Sequence, residues 1–317
     1  MNFTDSDDLA EAQPVTGKIL ITGGAGFVGT NLIAALGTRP IRVLVRDSRR
    51  AAKIARSNVE IVEGDVTQPE TLRGAMDGIE AVIHLVAVIS EEGRATFDTV
   101  IRQGTVNVVS EAKRAGVARF LQMSALGARN DPRFGYFEAK WQAEKAVEQS
   151  GLAWTIFRPS VIFGPGDEFI NTLARLVKTA PIVPVVGNGR SRFQPVAVGE
   201  VAIAFVHALD HPECAGHIYE LGGGNSYSYE AMLDVIAHQL GKPKPKVHIP
   251  VNLMKLVVKL SKPLPKALRP PVTDEQLRML AIDNATESSA TAELIGRKPL
   301  SLEDGIDYIT AGKASKR

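Results

Sequence analysis

Apolar and polar positions along the chain follow two rhythms. Up to about residue 160, short unbroken apolar runs alternate with longer segments whose apolar residues recur every three to four positions. The runs fall at residues 18–22, 41–45, 59–62, 81–87, 120–123 and 154–157. Each is too short for a helix and lacks polar alternation, as expected of strands buried on both faces. Residues 70–76, 96–115 and 137–149 read as helices, as does the stretch that follows the first glycine cluster to about Leu36. Strands alternating with helices predict βαβ units and a parallel sheet. After Arg158-Pro159 proline and glycine become frequent, as in Gly164-Pro165-Gly166 and across 181–189, and the rhythm is lost. Residues 201–208 and 218–221 predict one more helix and strand, returning to the sheet.

The first run leads straight into Gly23-Gly24-Ala25-Gly26-Phe27-Val28-Gly29 and then a helix. In a strand–turn–helix context, Gly23 permits the tight turn, Gly26 lets backbone N–H groups approach a pyrophosphate, and Gly29 allows close helix–sheet packing. Phe27 and Val28 open the helix, whose N-terminus adds positive partial charge toward an anion. The end of the second strand chooses between cofactors: an acidic residue grips a ribose 2′-hydroxyl, an arginine a 2′-phosphate. The chain reads Val45-Arg46-Asp47-Ser48-Arg49-Arg50. Arg46, followed by two more arginines, favours NADP; Asp47 leaves NAD open. The fold class is therefore α/β, a Rossmann-type doubly wound parallel sheet with a smaller C-terminal substrate region. The expected organisation is a flexible leader over 1–16, an NAD(P)-binding domain over 17–162 with 198–222 returning to it, and a smaller substrate or partner region over 163–197 and 223–317.

Several segments resemble the short-chain dehydrogenase/reductase superfamily in its extended or atypical branch. They are Thr22–Gly29, Gly64-Asp65-Val66, Tyr136-Phe137-Glu138-Ala139-Lys140, the stretch 158–166 and the stretch 195–202, which together span 17 to about 222. Ser124-Ala125-Leu126-Gly127-Ala128 and the stretch 136–166 are most similar to the NAD(P)-binding accessory subunit of respiratory complex I and its bacterial relatives. The resemblance implies that Asp65 and Val66 lie against the adenine and that Leu85, Val86 and Ala87 line the cofactor. It also implies that Tyr136 and Lys140 form the catalytic pair, with Ser124 as a third member. The asparagine of many relatives falls on Ile101 here, and Ala125 competes with Ser124 for the serine position.

Tyr136 and Lys140 are four apart, hence on one helical face. An adjacent ammonium is expected to favour the phenolate and bring the tyrosine toward neutrality. Tyr136 would then exchange a proton with a substrate oxygen, and Lys140 would also reach the nicotinamide ribose. The favoured function is NADP(H)-dependent hydride transfer between a carbonyl and an alcohol, on a small-molecule substrate that the pattern does not name. The alternative is a non-catalytic nucleotide-binding accessory or regulatory subunit of a respiratory NADH dehydrogenase complex. A nucleotide-sugar epimerase or dehydratase is a weaker third reading.

Composition narrows the context. Of 317 residues, 37 are Lys or Arg and 35 Asp or Glu, a net charge of +2 that gives no general argument for nucleic-acid binding. The one cysteine, Cys214, excludes an internal disulfide and any multi-cysteine metal site, and its sequence neighbours predict an inert thiol. No metal is expected. His84 reads as a satisfied core histidine, and Asp167-Glu168 as a helix start. The acidic N-terminus does not look like a secretory signal, and the longest apolar run, 81–89, is far below the roughly 20 residues needed to span a bilayer. A cytoplasmic chain is expected, peripheral to the inner face of a membrane if it touches one.

One segment suggests that contact. Between Gly241 and Val272 there are eight basic residues and no Asp or Glu. Within it, 251–260 is amphipathic, with Lys255 and Lys259 on one face. Such a helix either packs its apolar side on the substrate region or lies on an anionic membrane.

Overall fold

The computed structural model describes residues 12–261 and 272–310. Its elements in chain order begin with β1 (Ile19–Thr22), α1 (Phe27–Ala35), β2 (Ile41–Val45), β3 (Val59–Glu63), β4 (Ala81–His84), α2 (Gly104–Arg114), β5 (Arg119–Met123), α3 (Gly135–Glu148) and β6 (Ala153–Pro159). There follow β7 (Ile162–Phe163), α4 (Phe169–Thr179), β8 (Val183–Val186), β9 (Arg192–Phe193), β10 (Val196–Ala197), α5 (Val198–Asp210), β11 (His217–Leu221), β12 (Tyr227–Ser228), α6 (Tyr229–Gln239), β13 (Lys246–Ile249) and α7 (Val251–Ser261). Three short helices, α8 (Asp274–Met279), α9 (Thr291–Ile295) and α10 (Leu302–Gly305), follow among the described residues.

Seven strands form one sheet in the order β3-β2-β1-β4-β5-β6-β11, every pairing parallel. Alternation of side chains builds a core on each face. Ile19, Ile21, Val43, Ile83, Leu121 and Phe157 pack with Leu32 and Ile33 of α1 and Val201 and Phe205 of α5. Their neighbours Leu20, Leu44, Val82, Phe120 and Ile156 pack with Val108 and Ala112 of α2 and Val147 of α3. Strand order reverses between β1 and β4, where doubly wound sheets open a crevice at the carboxyl ends of their strands.

A second core gathers α4 and α6 with β8 and the end of the chain: Ile170, Leu173, Val185, Met232, Ile236, Leu302 and Ile309 are buried together. The pairs β7·β10, β9·β12 and β8·β13 frame it.

Several elements depart from the sequence reading. Residues 70–76 are not a helix: a single 3-10 turn over Pro69–Leu72 is cut off by Gly74 and Gly78, which take φ of 76° and 72°. The helix expected over 96–115 divides into a π-helical segment, Phe97–Gln103, and α2; the first is started by a capping box between Thr96 and Thr99. The fourth strand stops at His84, three residues early, because β1 leaves its side at Gly23 after Leu85 N bonds Thr22 O (3.1 Å). Residues 1–11 of the expected leader lie outside the described residues. Its end is not loose: Val15 is buried and its N–H bonds Leu209 O at 2.9 Å.

Candidate functional site

The glycines divide the labour of the β1–α1 turn. Gly23 has φ of +76°, and a Cβ there would stand 3.2 Å from Val86 N. A Cβ on Gly29 would lie 2.5 Å from both Gly23 O and Gly24 Cα, so this residue lets the helix fold back on its own turn. Gly26 differs. It is exposed, with φ of −81°, and a Cβ would meet only Gly23 O, at 3.2 Å. Gly26 is the N-cap of α1 without a side-chain cap, and no acidic residue occupies the first turn. The first N–H groups of the helix, at Phe27, Val28 and Gly29, therefore offer an uncompensated anion cradle. These features fit a dinucleotide pyrophosphate.

At the end of β2, Arg46 is exposed. Asp47 is occupied: Oδ1 accepts from Arg49 N (3.0 Å) and Nε (2.8 Å), and Oδ2 from the same guanidinium (2.8 Å). Beyond β3, Asp65 Oδ1 accepts from Thr67 N (2.9 Å) and Oγ1 (2.8 Å), fixing a turn. Val66 is buried; its carbonyl accepts from Asn107 Nδ2 (2.8 Å), and a Cβ on Gly104 would be 2.9 Å from its Cγ2.

After β4, Leu85 is buried, while Val86 and Ala87 are half-buried. His84 lies within the core: Nδ1 is 2.7 Å from Thr22 Oγ1, and Nε2 is 3.0 Å from Thr105 Oγ1. Thr105 donates to Ile101 O (2.7 Å), so it accepts from Nε2–H, which leaves Nδ1 to accept from Thr22. Burial, and then the nearby Lys140 ammonium, push His84 down to about 3.

Tyr136 and Lys140 sit on α3 as their spacing required, with Lys140 Nζ 6.0 Å from the centre of the tyrosine ring. Lys140 is 1% exposed and donates to Met123 O at 2.8 Å. The next residue, Ser124, is buried, and its hydroxyl has no hydrogen-bond partner among the described residues. Ala125 is half-buried. Tyr136 packs with Ala87 and Val88 against Phe97, Ile101, Ala139 and Ala143, which joins the α3 pair to the loop after β4. Gly23, through Leu85 and Val86, borders that same loop.

The electrostatics reverse one expectation. The ammonium does not bring the tyrosine toward neutrality: burial pushes the Tyr136 phenol up to about 12. Burial likewise brings Lys140 down to about 8, opposed by the Glu144 carboxylate. Glu144, fully buried, is itself gripped by Arg158 at 2.9 and 2.6 Å.

Two residues at this site gave no local signal. Glu275 of α8 accepts from the backbone N–H of Tyr136 (3.1 Å), so the C-terminal region caps the first turn of α3. Asn284 ties three segments together: Oδ1 accepts from Ser160 Oγ (2.7 Å) and Val161 N (2.9 Å), and Nδ2 donates to Leu126 O (3.1 Å). Beside them Arg129, Arg133, Phe134, Lys255 and Arg278 line a cavity of about 630 Å³.

The remaining candidates have structural jobs. Asp167 caps α4 through Ile170 N (2.6 Å) and accepts from the Tyr308 hydroxyl. Cys214 is buried, which raises its thiol pKa. Among the described residues no group of three or more His, Cys, Asp or Glu is placed to hold a metal ion, and no helix is long and apolar enough to cross a membrane.

Comparison with known proteins agrees with this geometry. A family described as NAD(P)H-binding matches residues 23–182. The chain is 31% identical over 244 residues to a ceramide reductase of Caulobacter vibrioides, covering 75% of each protein. It is 27% identical over 288 residues to the mitochondrial NADH dehydrogenase [ubiquinone] 1 alpha subcomplex subunit 9 of Arabidopsis thaliana, covering 85% of this chain and 71% of that one. Among solved structures, the NADPH-dependent quinone oxidoreductase QOR2 of Escherichia coli superposes with a TM-score of 0.75 at 20% identity, over 92% of this chain and 99% of that one. With its parallel seven-stranded sheet, its glycine turn and a family match over half its length, the chain belongs to the NAD(P)H-binding family, within the extended short-chain dehydrogenase/reductase superfamily.

Proposed function

We propose that the protein is an NADP(H)-dependent oxidoreductase acting on a carbonyl/alcohol pair, with Tyr136 as the acid/base. One observation carries this reading. Burial keeps the Tyr136 phenol protonated, the buried Lys140 lies 6.0 Å from its ring and bonds the carbonyl just before Ser124, and the buried Ser124 hydroxyl has no hydrogen-bond partner among the described residues. Buried polar groups without partners are rare and cluster where a ligand completes them.

The turn from Gly23 to Gly29, with the N–H groups of Phe27 and Val28, would hold the pyrophosphate. Asp65 and Val66 would border the adenine, and Leu85, Val86 and Ala87 would line the path to the nicotinamide. Arg46, exposed while Asp47 is occupied by Arg49, would take the 2′-phosphate. When bound, a reduced nicotinamide supplies hydride to the carbonyl carbon. The chain's part is proton management. Tyr136, protonated at neutral pH, donates to the oxygen that gains charge, and Ser124 donates a hydrogen bond to the same oxygen. Lys140 keeps one proton on Met123 O and has others for a ribose hydroxyl and for steadying the phenolate left behind.

Tyr136→Phe should retain cofactor binding and lower kcat about 10²–10⁴-fold on whichever ketone or quinone of a panel is turned over. Unchanged turnover would remove Tyr136 from the chemistry. Arg46→Ala should weaken NADPH more than NADH; equal losses would return the 2′ contact to Asp47. A second reading, a nucleotide-loaded accessory subunit of a respiratory complex, is favoured by Ile101. It is aliphatic and 1% exposed at the position where the family resemblance places an asparagine, so no proton relay passes through its side chain. A broad carbonyl panel that leaves bound NADPH unconsumed would make that reading the better one.

A further inference from the structure

We propose that α7 docks the protein on the surface of an anionic lipid bilayer, with its outer apolar stripe in the interface and its lysines among the headgroups. The proposal does not depend on the redox reading. Helix α7 faces the protein with Met254, Val258 and Ser261, of which only Ser261 is fully buried. Its opposite side carries Leu253, Leu256, Val257 and Leu260, which are 43–67% exposed. Positions i, i+3, i+4 and i+7 fall within an arc of about 100° on a helix, so the four side chains form a single stripe turned to solvent. A soluble surface scatters its exposed leucines; a contiguous row marks a contact surface.

Charge selects the occupant. Lys255 and Lys259 lie together on one flank of the stripe; Lys255 also borders the cavity lined by Arg129, Asp131, Arg133 and Arg278, where Arg133 is paired with Asp131 and Arg278 with Asp274, so the two lysines carry the charge of this face. The sequence from Gly241 to Val272 adds no Asp or Glu. Apolar residues edged by lysines, on a helix that lies flat against its own protein, match an interfacial helix on anionic lipid. A second copy would offer these lysines no carboxylate from the same helix, which carries no Asp or Glu, whereas anionic headgroups would pair with them. Because α8 carries Glu275 to Tyr136, a docked α7 would also place the neighbourhood of the candidate site near the bilayer.

The test is flotation of the full chain with phosphatidylcholine vesicles, with and without phosphatidylglycerol, at low and high salt. Binding is expected only with phosphatidylglycerol, and weaker at high salt. Lys255→Gln/Lys259→Gln should cut partitioning by at least about tenfold, at roughly fivefold per lysine removed. Leu256→Ser/Leu260→Ser should abolish binding with its Tm unchanged, because both leucines are exposed. Absence of phosphatidylglycerol-dependent binding by the wild type would overturn the proposal, as would retention of binding by the leucine variant. It also fails if the wild type sediments as a dimer without lipid and the leucine variant as a monomer, which would make the stripe a self-interface. If the leucine variant does not fold, the stripe is internal packing and the proposal falls.

Discussion

The parallel sheet and the region that covers its carboxyl ends are held together in different ways. In the sheet, stability comes from side chains that alternate between two faces, and the key turn is closed by Gly23, Gly26 and Gly29 within seven residues. In the covering region, the contacts that set position join distant parts of the chain. Asn284 reaches back to Leu126, Ser160 and Val161; Tyr308 reaches Asp167; Glu200, 1% exposed, accepts from Arg297 (2.8 Å) and Leu300 N (2.9 Å). Hydrophobic periodicity positions the first region; the second has a core of its own, and individual polar bonds fix that core against the sheet. Closing such loops costs entropy, which that core and these few specific bonds together offset. The cofactor cradle is thus intrinsic to the sheet, while the space above Tyr136 is defined only when the chain's end is seated.

The contrast is broken most severely inside the turn. Gly29→Val places a side chain within 2.5 Å of backbone atoms that cannot give way, and should cost more than about 4 kcal/mol or prevent folding. Gly26→Ala meets only one atom, at 3.2 Å, so the protein should fold with stability within about 1 kcal/mol of wild type and lose dinucleotide affinity. Thermal unfolding with a cofactor titration on both variants checks this; equal loss of stability would erase the distinction between packing glycine and ligand glycine.

Asn284→Ala tests the covering region. It strips partners from Val161 N and Leu126 O and should cost about 3 kcal/mol. The loss should be seen as earlier denaturant unfolding of the C-terminal part, with the sheet's circular dichroism retained to higher denaturant. A single shifted transition would show the two regions to be one cooperative unit.

The smallest effect tests the site where the regions meet. The folded value of Lys140, about 8, lies below its ordinary 10.5. Between those values the unfolded chain binds more protons, so this group makes the fold more stable as pH rises through the window. Wild type should gain about 2 kcal/mol relative to Lys140→Met between pH 8 and pH 10, measured by denaturant unfolding at each pH. Parallel curves would mean that Lys140 is hydrated in the folded protein.

How legible each part was follows from the range of its determinants. Strands at 41–45 and 154–157, the glycine turn and the Tyr136–Lys140 face could be read because each depends on residues a few positions apart. The helix expected over 70–76 failed where Gly74 and Gly78 adopt positive φ, a choice that composition alone does not force. The lowered tyrosine pKa failed because spacing gave the lysine's direction but not the burial of both groups, and burial outweighs one neighbouring charge here.

The parallel sheet, its nucleotide turn and the amphipathic character of 251–260 are written into local residue patterns, because period and local turn chemistry act over one or two turns of chain. It took the folded chain to show that Asp47 is occupied by Arg49, that the Ser124 hydroxyl has no partner among the described residues, that Glu275 caps the helix of Tyr136, and that the apolar stripe of α7 faces outward. Burial and long-range pairing depend on which surfaces meet after the chain has folded back on itself, and that information is spread over residues as distant in sequence as Val15 and Leu209.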